Sequence, residues 1–95
     1  MIALSLTYMF HARQRGSLLN NLRDIRKKLK ISQEELAQSL HKTKSYISKI
    51  ENGKVDPPFK MAFLITESLK QIYLENTGPY LELQINQVFK IEEKM

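Results

Sequence analysis

The sequence predicts a mainly all-α domain of four to five helices, with short β-strands an option at the two ends. Three observations carry that prediction. Apolar residues recur at spacings of three and four in successive runs between Leu18 and Tyr73. Residues that cap, open or stop helices punctuate those runs. Strict alternation, the mark of a strand, is confined to the ends of the chain.

The first helix is predicted over residues 18–30. Leu18, Leu22, Ile25 and Leu29 share one face, Arg23, Lys27 and Lys30 lie opposite, and Ser17 stands where a cap belongs. Lys27, Lys28 and Lys30 read first as a solvated face. A shorter helix covers 32–40. Ser32 with Glu35 three residues on is a capping box, and Leu36, Ala37 and Leu40 form the apolar stripe. His41, Lys42 and Thr43 interrupt the pattern. Thr43 is a good cap for a third helix, 44–52, with Ile47 and Ile50 inward and Asn52-Gly53 closing it. Asp56-Pro57-Pro58 marks a turn and then a helix with proline in its first turn. That fourth helix runs from about Phe59 to about Leu74, with Met61, Ala62, Leu64, Ile65, Leu69, Ile72 and Tyr73 on a broad apolar face, until Gly78-Pro79 stops it.

At the ends, Ile2, Leu4, Leu6, Tyr8 and Phe10 alternate with other residues, as do Leu81, Leu83 and Ile85 with Glu82, Gln84 and Asn86. Neither run can stand as an isolated strand, so the two would pair with each other or with copies in a second subunit. The competing reading of the first run is an unstructured leader. That of the second is a short amphipathic helix around Ile85, Val88 and Phe89. The chain thus divides into an N-terminal extension, 1–17, a helical domain, 18–77, and a C-terminal segment, 78–95.

At 95 residues and 42% hydrophobic, the chain supports one modest core. It has no cysteine, so no disulfide or thiolate zinc site is expected. His11 and His41 are isolated, and no metal or cofactor is expected. The net charge of +5 is uneven. Residues 20–56 carry nine Lys/Arg against five Asp/Glu, and residues 57–95 four against five. A clustered basic excess suits a polyanion, although a solvated basic surface looks the same in composition. The apolar run 1–10 is shorter than the roughly 20 residues that span a bilayer. Its charges, Arg13 and Arg15, follow it rather than precede it as in a signal peptide. A soluble cytoplasmic protein without a membrane partner is expected. There is no Ser/His/Asp set, no glycine-rich phosphate loop and no prominent carboxylate pair, so no enzyme is expected.

Two short helices joined by a three- or four-residue turn make a helix-turn-helix unit. Leu36, Ala37, Leu40, Ile47 and Ile50 are its core positions, with Ala37 small because the next helix crosses close above it. Lys44, Ser45, Ser48, Lys49 and Asn52 are left on the outer face of the second helix of the unit. These short polar and cationic groups suit base edges and phosphates.

The stretch ISQEELAQSLHKTKSYISKIENGK resembles the DNA-binding domain of phage repressor and Cro proteins, the Xre-type helix-turn-helix family. Ser32-Gln33, Leu36-Ala37, Ile47-Ser48 and Ile50-Glu51-Asn52-Gly53 carry the resemblance, followed by the prolines that open the fourth helix. It covers about residues 18–72. It implies that Gln33 donates to a DNA phosphate and also braces the start of the third helix. It implies that Lys44 and Ser45 reach base edges first, with Ser48 on the same face and Lys49 one turn further along. Asn52 and Lys54 would meet the opposite phosphate wall. Arg26 and Glu51 stand where the family places a structural ion pair. Two positions depart from the pattern. His41 occupies a turn position usually held by glycine, at a cost of roughly 1 kcal/mol for a left-handed histidine. Lys42 follows where an apolar residue is usual, so either the turn is looser or Lys42 points at a phosphate.

The resemblance implies double-stranded DNA as partner. The simplest role is a repressor bound to a palindromic operator as a dimer. The alternative is an antitoxin, since HipB-type members repress their own operon, bind a toxin and add a C-terminal strand to the dimer. A helical domain complete by residue 72 leaves Leu81, Leu83, Ile85 and Phe89 with no core to enter. They are therefore expected to form the homodimer interface.

Overall fold

The computed structural model describes residues 20–89, in which five helices follow one another. They are α1 (Leu22–Lys28), α2 (Gln33–Leu40), α3 (Lys44–Glu51), α4 (Phe59–Thr77) and α5 (Ile85–Val88). Ser17, Leu18 and the alternating run 2–10 lie outside the described residues.

Helix α1 is shorter than its apolar spacing predicts. Asn21 stands at its N-cap, and Asn20 Oδ1, one residue earlier, accepts a hydrogen bond from the Leu22 amide at 3.1 Å. At the other end Lys30 turns left-handed, with φ 60°. The amides of Lys30 and Ile31 then bond back to the carbonyls of Lys27 and Arg26, both at 3.0 Å. This pair of bonds is the Schellman closure, which satisfies carbonyls the helix leaves open. Helix α2 ends the same way at His41 (φ 58°, ψ 41°), whose amide bonds Gln38 while that of Lys42 bonds Ala37. The turn between α2 and α3 is therefore regular, not loosened by the missing glycine. Helix α3 closes likewise at Gly53, φ 76°, with the Lys54 amide on Lys49.

Helix α4 is the long element against which the others pack. Pro58 sits just before its first helical residue rather than within the first turn, and accepts from the Ala62 amide at 2.9 Å. Ala62, Ile65, Thr66, Leu69 and Ile72 are its buried face. Thr66 satisfies its hydroxyl on the Ala62 carbonyl. Leu64, read from the sequence as part of that face, is instead exposed, as are Phe59, Phe63 and Leu74.

A single core runs through all of the described residues. Leu22, Ile25, Leu36, Ile47, Ile50, Ile65, Leu69 and Val88 are fully or nearly fully enclosed. Leu81, Leu83 and Phe89 belong to the same cluster, at 3%, 1% and 4% exposure, and Ile85 packs half-buried against it. This corrects the expectation that Leu81, Leu83, Ile85 and Phe89 have no core to enter. The alternation of residues 81–85 has a different cause from a strand. Residues 81–84 are non-helical, with Leu81 and Leu83 inward and Glu82 and Gln84 outward, and then one turn of α5 follows. Period two serves an extended segment laid on helices as well as it serves a sheet. Among the described residues there is no strand, only an isolated antiparallel bridge between Asn20 and Phe89. Asn21 adds two bonds there, from its amide to the Val88 carbonyl at 2.8 Å and from its side chain to the Gln87 carbonyl.

Candidate nucleic-acid interface

The outward face of α3 is assembled by its caps and by what pins it beneath. Thr43 Oγ1 accepts from the Tyr46 amide at 3.0 Å and fixes where the helix starts. Ile47 and Ile50 are wholly buried, which fixes its rotation. With those two inward, Lys44, Ser45 and Lys49 are exposed, and Ser48 is half-buried beside them. Ala37 lies beneath at 2% exposure, and its single methyl group lets α2 and α3 approach closely. Asn52 and Lys54 are exposed just past the end of α3. Lys42 is exposed in the turn, with its ammonium 5.3 Å from the centre of the Tyr46 ring, a cation–π distance. Tyr46 itself packs half-buried against the core.

Glu51 organises the inner side of the interface. Its side chain is completely buried, yet it carries a carboxylate. Arg26 donates to it twice, Nε to Oε2 at 2.6 Å and Nη2 to Oε1 at 3.1 Å. The third guanidinium nitrogen, Nη1, donates to the Ile31 carbonyl at 3.0 Å. The two charges are thus enclosed together, each with hydrogen bonds, the condition under which buried ions are tolerated. Gln33 Nε2 adds a bond to Glu51 Oε1 at 3.0 Å. Gln33 therefore braces the end of α3, not its start, and is half-buried. The capping box holds it there. Ser32 Oγ accepts from the Glu35 amide at 2.9 Å, and Glu35 Oε1 accepts from the Ser32 amide at 3.0 Å.

One residue here was passed over in the sequence. Arg23 carries a half-exposed side chain whose Nε lies 3.5 Å from Glu51 Oε1. Its Nη2 donates a short hydrogen bond to Asn52 Oδ1. In the sequence it was one more cation on the polar face of the first helix. Only its position three residues before Arg26, on the same side, pointed toward Glu51.

A capped α2 and α3, crossing over a small residue and presenting a polar and cationic outer surface, define a DNA-binding helix-turn-helix domain. A family model described as helix-turn-helix matches residues 22–74, and the chain belongs to that family, the Xre or phage-repressor-like helix-turn-helix proteins. This is a family of DNA-binding transcription regulators. No curated protein and no solved structure matches the chain. Among the described residues no helix is long and apolar enough to cross a membrane.

Proposed function

We propose that this protein is a sequence-specific repressor that places α3 in the major groove of each half of a palindromic operator, as a homodimer. The outer face of α3 carries the proposal. It bears no large apolar side chain, its direction is fixed by a cap and two buried isoleucines, and it offers lysine and serine donors. A major groove admits a helix and exposes acceptors that such donors read. Lys44, Ser45, Ser48 and Lys49 are assigned to bases. Lys42, Asn52 and Lys54, with Gln33 at the edge, are assigned to phosphates. A duplex DNA partner places the protein in the compartment that holds the genome.

The second copy meets the first through apolar side chains that stay outside the core. Phe59, Phe63 and Leu74 lie along one side of α4, and Glu67 and Lys70 form an ion pair between them at 2.9 Å. An antiparallel pairing of two such helices sets Glu67 of each copy opposite Lys70 of the other. The antitoxin reading draws on the same exposed apolar side chains, with a toxin in place of the second copy. A toxin gene beside this one would favour it.

The test is selection of bound sequences from a random duplex pool, with sedimentation of the free protein. A palindromic consensus and a dimer lost in Phe63→Glu are expected. Failure to enrich any sequence would sink the repressor reading. Lys44→Ala should cost about 1–3 kcal/mol on the selected site and relax the choice at one base pair. An equal loss on every duplex would make Lys44 a phosphate contact.

A further inference from the structure

We propose that Arg23 and Asn52 together form a seat for a DNA backbone phosphate at the C-terminal end of α3. The proposal rests on the DNA-binding reading above and adds to it a residue from α1.

The first argument is a count of charges. Glu51 carries one negative charge, and Arg26 alone matches it through two hydrogen bonds. Arg23 stands on the same carboxylate at 3.5 Å as a second cation. It is surplus to the neutralisation of Glu51, and its side chain is 47% exposed where that of Arg26 is 9%. A surplus guanidinium, held in place and facing water, is a ready site for an anion.

The second argument concerns the orientation of Asn52. A guanidinium has donors only, so the Asn52 atom that meets Arg23 must be the carbonyl oxygen. That sets the amino group on the other side, where Nδ2 makes one long bond to Ser48 Oγ at 3.4 Å. An amide with two donor hydrogens keeps one for an incoming acceptor. Arg23 thus fixes Asn52 as a donor, with Ser48 beside it.

The third argument is electrostatic. Asn52 caps the C-terminal end of α3, where the helix carries roughly half a negative charge. A phosphate approaching that end is repelled unless a cation lies close. Arg23 supplies the cation from a neighbouring helix.

The experiment measures binding of the full chain to two duplexes over a range of salt. One is a site selected from a random pool, and the other an unrelated duplex of equal length. Wild type, Arg23→Gln, Arg23→Lys and Asn52→Asp are compared, with thermal melting of each. Between about 50 and 200 mM salt, the fall in affinity should be about threefold smaller in Arg23→Gln than in wild type, the share of one phosphate contact. At low salt Arg23→Gln should bind both duplexes more weakly by a similar factor, with the same selected consensus. Arg23→Lys should restore the salt dependence. Asn52→Asp keeps an acceptor for Arg23 but replaces the donor with a negative charge, so it should bind both duplexes poorly. An unchanged salt dependence in Arg23→Gln, alongside a lower melting temperature, makes Arg23 a brace and overturns the proposal. A changed consensus makes it a base contact and also overturns it. If wild type binds neither duplex, the DNA-binding reading falls with it. If wild type binds and only the salt dependence is unmoved, the seat alone is wrong.

Discussion

Glu51 is a buried charge that four donor groups approach, and its removal has a definite sign. Glu51→Ala leaves the Arg26 guanidinium enclosed with only the Ile31 carbonyl to meet it. Stranding one member of a buried pair costs about 3–5 kcal/mol, so urea denaturation should show a loss of that order. Replacing both partners with apolar residues should cost less than the sum of the single losses. Additive losses in that double-mutant cycle would mean the pair contributes nothing of its own. Left-handed residues give a prediction of the opposite sign. Lys30 and His41 end α1 and α2 with positive φ, where a Cβ is strained. His41→Gly removes that strain and adds backbone entropy to the unfolded chain. The net should be a stabilisation between a few tenths and about 1 kcal/mol, read in the same denaturation. Sequence reading could see His41, because a three-residue break between two apolar stripes demands a turn. It could not see Lys30, because a lysine carries no mark of the left-handed conformation and the apolar spacing continues unbroken up to Leu29, the residue before it.

At the scale of elements, the helix-turn-helix was the most legible part. Ser32 with Glu35, and Thr43, are local signals whose hydrogen bonds close within one turn, so no distant contact is needed to recognise them. Thr43→Ala should cost about 1 kcal/mol and fray the start of α3, where Lys44 and Ser45 lie. Amide hydrogen exchange confined to residues 44–47 would register it. An exchange pattern unchanged there would show that burial of Ile47 alone sets the start of the helix. Helix α1 was read less well, because its start is held by Asn20 and by contacts with α5 that come from far along the chain. The rotation of α4 was also misjudged at Leu64. Its apolar residues cover more than half of the helix circumference, and periodicity alone cannot say which edge of so broad a face stays outside.

For the molecule as a whole, the largest misreading was the segment after Gly78. A helical domain of 55 residues or so looked complete in the sequence, because each of its helices had a capped start and an apolar face. What pattern cannot show is whether those faces close on one another. Here they leave a gap that Leu81, Leu83, Val88 and Phe89 fill. Fully burying one such side chain contributes about 1.5–3 kcal/mol, so losing four would cancel most of the roughly 5–15 kcal/mol that holds a small domain folded. Truncation after Thr77 should therefore abolish cooperative unfolding, and truncation after Phe89 should preserve it. Thermal melting of the two shortened chains tests this directly. A sharp transition in the shorter one would return the segment to the periphery.

The bridge between Asn20 and Phe89 also bears on how the protein is made. A ribosome delivers residues in order, so α2 and α3 emerge well before the segment that seals the core beneath them. Until the segment after Gly78 folds back, the part of the α4 face that it covers stays open. A chain that stops at Thr77 carries the whole recognition motif but lacks the four side chains, Leu81, Leu83, Val88 and Phe89, that complete its core.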